Sequence, residues 1–302
     1  MLSADQVGFY QENGYILVRG LLSRGEAADY RRECHELIAR LQRIRSVDAT
    51  WGAARQLSAA AADTQVLHCH DVQFQSAAFT RLIVDDRLTA AAASIIGPNV
   101  QLHHTKVFIK PAEKGSPFPL HQDCPFFPHD RHSMIAAIIH FDDAPIEKGC
   151  LRVVPGSHRL GPLPHDPEGG WHLPLDRYPL EGAVACPAQA GDVLLFSYLT
   201  IHGSGLNVTH EARTTLLVQM RDPEDPPSIR THESRGQGMM LRGIDPSCAT
   251  VQPLADKASG AARAGGGAGM GTMGSGTAGA MGVPAAMGGM GSGREGAAGA
   301  KG

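Results

Sequence analysis

Between residues 100 and 220 the chain carries five short strand-like runs, at 100–109, 134–141, 150–154, 192–197 and 214–220, each set off by clusters of Gly, Pro and Asp. Runs of this length closed by turn formers read as strands, and a succession of them reads as a sandwich or barrel. The residues before them follow a different pattern. Residues 4–13 read as a short helix with Ser3 as N-cap. Residues 21–44 read as a long one, in which Ser23 and Glu26 have the spacing of a capping box and Leu37, Ile38, Leu41 and Ile44 recur on one face. Ala-rich stretches at 59–64 and 78–96 are helical in pattern, the second stopped by Gly97 and Pro98. Helices first and short strands after fit a mainly β fold with flanking helices. The expected architecture is a double-stranded β-helix (jelly-roll, cupin-like) core at about 98–225, buttressed on one sheet by a helical part at about 1–97.

One domain over 1–255 is the economical count for 302 residues, and an apolar content of 42% suffices for its core. The Gly-, Ala- and Met-rich stretch 256–302 cannot bury enough apolar surface to offset the entropy of ordering, and is predicted to be disordered. A net charge of -3 gives no electrostatic footprint for nucleic acid or an acidic membrane surface. No apolar run has membrane-spanning length, and the first residues, Met1-Leu2-Ser3-Ala4-Asp5, lack the features of a secretory leader, so a cytoplasmic protein is expected. The six cysteines have neither zinc-site nor disulfide spacing, and Cys124 is read as a packing residue.

The chemistry centres on Pro119-Leu120-His121-Gln122-Asp123-Cys124. On an extended strand residues i and i+2 share a face, so His121 and Asp123 can converge on one ion. His202, in Thr200-Ile201-His202-Gly203-Ser204, offers a third ligand beyond the run 192–197, and Arg213 follows it. Two His and one carboxylate leave three positions of an iron open, the donor set of non-haem Fe(II) oxygenases. The guanidinium fork of Arg213 argues for a co-substrate bearing a carboxylate. On spacing alone His140 and Asp142 form a rival pair, whose plainer reading is a buried strand running into an acidic turn.

Taken in order, several stretches resemble the phytanoyl-CoA dioxygenase family of Fe(II)/2-oxoglutarate oxygenases: residues 14–20, 97–100, His104-Thr105, His121-Gln122-Asp123, 148–158, Gly191-Asp192, and 202–207 with Arg213. The resemblance covers about residues 5–225. It implies that His121, Asp123 and His202 are the iron ligands and catalytic centre, which favours the first His-x-Asp over His140 and Asp142. It also implies that Arg213 and Ser204 hold the far carboxylate of 2-oxoglutarate. Some members place a lysine before the Gly-Pro-Asn element. Here that region reads Val66-Leu67-His68-Cys69-His70-Asp71, so His68, His70 or Lys106 would take that part.

The implied activity uses Fe(II), 2-oxoglutarate and O2 to hydroxylate an unactivated C–H bond of a small molecule, with succinate and carbon dioxide as co-products. Asp123 argues against halogenation, which needs a small residue there; desaturation, ring closure and epimerisation remain open. An acyl-CoA substrate of the phytanoyl-CoA type and a non-enzymatic ligand-binding jelly-roll are the alternatives. Phe126, Phe127, His129 and Arg131, just past the ligand pair, are expected to form the substrate wall. The irregular segment 156–186, with Trp171, His172, Arg177 and Tyr178, is read as a lid. Arg31, Arg32, Arg40, Arg43 and Arg45 are read as a solvated helix face, and His158 as structural.

Overall fold

Two capping boxes start the helices that open the chain. In α1 (Ala4–Asn13) Ser3 accepts from the Gln6 backbone while the Gln6 side chain accepts from Ser3, and in α2 (Arg24–Gln42) Ser23 and Glu26 do the same. Gly14, at φ 77, ends α1 and releases β1 (Tyr15–Val18). The computed structural model describes residues 1–44, 48–49, 64–166, 171–231 and 233–246. The chain divides into two units, Met1–Ser247 and Cys248–Gly302, and all described residues belong to the first. The stretch 256–302, Arg45 and all but Thr64 of the helix expected at 59–64 lie outside them.

The helix expected at 78–96 is two helices, α3 (Ala77–Ile83) and α4 (Asp86–Ile96). Asp85 divides them: its backbone is extended and its carboxylate accepts from the Arg87 N–H, so it caps α4 instead of continuing α3.

Ten further strands follow among the described residues: β2 (Asp48–Ala49), β3 (Val66–His70), β4 (Val100–Lys110), β5 (Phe118–His121), β6 (Ile135–His140), β7 (Leu151–Val153), β8 (Val184–Cys186), β9 (Val193–Ser197), β10 (His202–Ser204) and β11 (Arg213–Arg221). A last short strand, β12 (Met240–Arg242), pairs with β4. The larger sheet runs β1-β9-β6-β11-β4-β3-β2 and the smaller β5-β10-β7-β8, with neighbouring strands antiparallel throughout the described residues. β3, unassigned from the sequence, extends the larger sheet beside β4.

The continuous apolar runs are explained by burial of both faces of the larger sheet. Ile135, Ala137 and Ile139 of β6, Val193 and Leu195 of β9 and Leu216 and Val218 of β11 join one core with Leu37, Ile38 and Leu41 of α2 and the side chains of α3 and α4. The alternate residues Ala136, Ile138, Leu194 and Phe196 meet Leu151, Val153 and Cys186 of the smaller sheet. The fold is therefore a jelly-roll closed between two sheets, with helices on the outer face of one.

The segment 156–186 is anchored more than a swinging lid would be. Leu173 and Ala183 are buried with Leu120 and Ile201, and the Leu173 N–H donates to the Leu120 carbonyl at 2.9 Å. Ser157 donates to Val154 and accepts from the Ile201 N–H, while His158 lies against Gln11 and Gly14.

Candidate active site

The register of the smaller sheet makes the first contact of the site. β10 lies antiparallel to β5 with His202 directly opposite His121, so two residues far apart in sequence become cross-strand neighbours with ring centroids 4.2 Å apart. Each ring is set by a carbonyl two residues before it: His121 Nδ1 lies 2.8 Å from the Pro119 oxygen and His202 Nδ1 2.9 Å from the Thr200 oxygen. Since a carbonyl only accepts, both Nδ1 atoms carry the proton and both Nε2 lone pairs face inward.

Asp123 arrives differently from the expectation. β5 ends at His121, and Asp123 has a helical backbone (φ -76, ψ -26), tied by its N–H to the Tyr198 carbonyl at 2.9 Å. A turn, not strand alternation, carries the carboxylate to its neighbours. Its Oδ1 lies 3.8 Å from His121 Nε2 and 3.7 Å from His202 Nε2. Among the described residues this is the one group of three or more His, Cys, Asp or Glu whose ligand atoms gather within 4.8 Å of one another. Burial pushes the His121 imidazole down to about 3, with His202 adding to the shift and Asp123 opposing it, and burial pushes His202 down to about 4. Two neutral, inward-facing Nε2 atoms and one carboxylate oxygen suit a divalent metal.

His140 and Asp142 part company. His140 is buried at the end of β6, whereas the Asp142 carboxylate accepts from Arg31 Nε at 2.6 Å and from the Thr214 N–H at 2.8 Å. The rival pair is not a site.

The triad opens into a cavity lined by Phe108, Phe118, Ile138, Leu151, Phe196 and Leu217, with Ser204, Arg213 and Thr215 as its polar members. Arg213 and Lys110 are Cα partners across β11 and β4. Both are buried, and their partners are neutral: Lys110 Nζ donates to Ser204 Oγ at 2.8 Å and to the Gly205 carbonyl at 2.5 Å, and Arg213 donates to the Gly149 carbonyl. Burial pushes Arg213 down to about 10, and burial with the nearby Arg213 pushes Lys110 well down. Among the described residues neither has an ion-pair partner, and Arg213 Nε has no hydrogen bond. Unpaired buried cations are costly; Arg213 stands in the cavity wall and Lys110 lies behind it on the wall residue Ser204, an arrangement that marks a seat for an anion.

Lys110 was not foreseen. Its position at the end of a strand, before Pro111, reads as solvated, and the only signal for it is that it shares a strand face with Lys106. Lys106 itself is half-buried, with Nζ 4.7 Å from the centre of the Phe108 ring, and burial pushes it down to about 8. His68 and His70 lie beside β4, opposite Phe108 and Lys106. Ser204 thus meets Lys110, not one of the three groups suggested from the sequence.

Of the residues past the ligand pair, Phe126 stands near the metal side. Its ring centre is 6.3 Å from that of His121 and 6.1 Å from that of Trp171. Phe127 is buried against Tyr198, His103 and His104. Arg131 is turned away: it is exposed, 3.6 Å from Asp222, and donates to the Glu224 carbonyl. His129 is buried, its Nδ1 bonded to the Phe127 carbonyl. Gln122, between the two ligand candidates, fastens the neighbouring loop. Its side chain donates to the Gly161 and Leu199 carbonyls and accepts from the Leu163 N–H, and its own N–H donates to His165 Nε2. Cys124 packs with Phe127, Met134, Tyr198 and Leu199.

With this geometry in place, the comparisons with known proteins are direct. The family model "Phytanoyl-CoA dioxygenase (PhyH)" matches residues 10–215. The chain belongs to the phytanoyl-CoA dioxygenase family. The peroxisomal phytanoyl-CoA dioxygenase of Rattus norvegicus is 31% identical over 232 residues, covering 72% of this chain and 67% of that one. An ectoine dioxygenase of Bordetella parapertussis is 28% identical over 245 residues, covering 74% and 77%. Among solved structures, the epimerase SnoN in complex with Fe3+, alpha ketoglutarate and nogalamycin RO aligns with a TM-score of 0.59 at 26% identity, over 80% of this chain and 96% of that one. The protein is an Fe(II)- and 2-oxoglutarate-dependent dioxygenase by family, and the donor set His121, Asp123 and His202 fits the metal.

Proposed function

We propose that this enzyme hydroxylates an unactivated C–H bond of a small organic molecule, with iron held by His121, Asp123 and His202 and the far carboxylate of 2-oxoglutarate held by Arg213, Ser204 and Lys110. The observation that carries the reading is that one cavity joins a neutral-His and carboxylate triad to the buried, unpaired Arg213 and to Ser204, which the buried Lys110 holds from behind. A dicarboxylate that reaches from a metal to a cation pair fits both ends. When bound, iron with 2-oxoglutarate supplies the oxidising power, and succinate and carbon dioxide leave as co-products. The protein's own part is placement. The Pro119 and Thr200 carbonyls hold both imidazoles in one tautomer, Phe108, Phe118 and Phe196 keep water from the co-substrate, and Phe126 and Trp171 are placed to face the substrate.

A free small molecule is favoured over an acyl-CoA because the arginines of α2 are committed: Arg24 to Asp143, Arg31 to Asp142, Arg32 to Asp29 and Arg40 to Glu33. Of the arginines expected on that face, Arg43 is the one described residue left without an ion pair, too few for the phosphates of a nucleotide. We further propose that the catalytic domain spans 1–255 and that the enzyme works in the cytoplasm; no helix among the described residues is long and apolar enough to cross a membrane.

Succinate release from 2-oxoglutarate by anaerobically iron-loaded protein, on admission of air, tests the assignment. Wild type is expected to turn over slowly without substrate, His121→Ala to lose turnover, and Arg213→Ala to need much more 2-oxoglutarate. Equal turnover in His121→Ala and wild type would overturn the ligand set. A screen of acyl-CoA thioesters against free acids and alcohols then decides the substrate class.

A further inference from the structure

The two oxygens of Asp123 face different partners. Oδ1 is the atom turned toward His121 and His202, while Oδ2 accepts a hydrogen bond of 2.6 Å from Gln219 Nε2. Gln219 is fully buried on β11, with His104 and Ala136 as its cross-strand partners. A carboxylate only accepts, so the amide must present its NH2 group to Asp123, and the orientation of the side chain follows. Its other end, Oε1, is then buried, and among the described residues it has no hydrogen-bond partner.

That asymmetry separates a functional placement from a structural one. A glutamine kept for stability would have both ends satisfied, because a buried carbonyl oxygen without a donor is a cost. Here one end is left unpaired while the other is spent on a single carboxylate oxygen.

We propose that Gln219 is a positioning residue of the metal site: its amide takes the oxygen of Asp123 that faces away from the histidines, and so keeps Asp123 a one-oxygen ligand. The inference rests on the metal-site reading above. Its chemical sense is economy of coordination positions. A carboxylate free to swing its second oxygen inward would occupy a place that the co-substrate or dioxygen needs. An amide is suited to the task because it donates without carrying a charge or competing for the metal.

Mn(II) serves as the probe, added alone to metal-free protein, with affinity from calorimetry and coordination symmetry from the electron paramagnetic resonance line shape. Gln219→Leu keeps the size and removes the donor; Gln219→Met does the same with a more adaptable chain, should leucine fold poorly. Both are expected to bind Mn(II) roughly 10- to 100-fold more weakly, with an altered line shape. The melting temperature of the metal-free variants is expected to change little, because the hydrogen bond lost at Asp123 Oδ2 is offset by removal of the unpaired Oε1. Wild-type affinity and line shape in both variants would overturn the role of Gln219 while leaving the metal site standing. No Mn(II) uptake by wild type, or full uptake by His202→Ala, would overturn the metal-site reading and this inference with it.

Discussion

Lys110 and Arg213 are held by neutral partners alone, so each contributes a desolvation cost until an anion arrives. Lys110→Met removes one buried charge at nearly constant length. The metal-free, co-substrate-free protein is expected to melt at a higher temperature, while the affinity for 2-oxoglutarate falls about 10- to 100-fold, the worth of a charge-assisted hydrogen bond of roughly 1.5–3 kcal/mol. Melting curves and 2-oxoglutarate titrations of the same samples check both signs; lower stability with unchanged affinity would refute the anion seat. His140 offers a second residue-scale test. Burial, with Arg213 beside it, pushes its pKa down to about 4 from 6.5, and neither ring nitrogen has a hydrogen-bond partner among the described residues. From about pH 6.5 down to about 4 the unfolded chain binds a proton that the folded chain refuses, so stability falls as pH falls through that window. His140→Leu is expected to remove up to about 3 kcal/mol of that acid sensitivity, measured as the difference in denaturant midpoints between pH 7 and pH 4.5.

At the scale of elements, the site is a product of register. β11 and β4 lay side by side the pairs Arg213 and Lys110, Thr215 and Phe108, Leu217 and Lys106, and Gln219 and His104. One strand pair therefore carries the cation seat at one end and the support of Asp123 at the other. The seat also depends on a turn. Gly149 has φ 70, its carbonyl accepts from Arg213, and a Cβ there would lie 2.4 Å from the Gly205 oxygen, whose carbonyl accepts from Lys110. Gly149→Ala is therefore strained in backbone and in space. It is expected to cost more than 1 kcal/mol of stability, by the measure of a single strained left-handed residue, and to raise the KM for 2-oxoglutarate as Arg213 and Lys110 shift. Unchanged melting and KM would show that the turn does not hold the seat. The helices, by contrast, were legible from local chemistry. Ser3 with Gln6 and Ser23 with Glu26 cap as their spacing suggests, whereas the break at Asp85 was hidden because an Asp inside an Ala-rich run gives little sign of turning its carboxylate back on Arg87.

For the whole molecule, every residue assigned here to the metal, co-substrate or substrate lies within Met1–Ser247. Deleting 256–302 is accordingly expected to leave succinate release and its dependence on 2-oxoglutarate unchanged, and a large loss of either would give that stretch a part in catalysis. What the amino-acid sequence determined by itself was the order of elements, the helix caps and a short roll of candidate ligands, because capping, strand punctuation and donor chemistry act over a few residues. It also named Arg213 and Ser204 through resemblance. Tertiary structure decided which candidates meet: His202 against His121, Asp142 drawn away by Arg31, Lys110 bonded to Ser204, and Gln219 on Asp123. Strand alternation tells which face a side chain takes. It does not tell which element lies across from it, and here the partners are separated by up to 111 positions, a distance closed only by the packing of the whole fold.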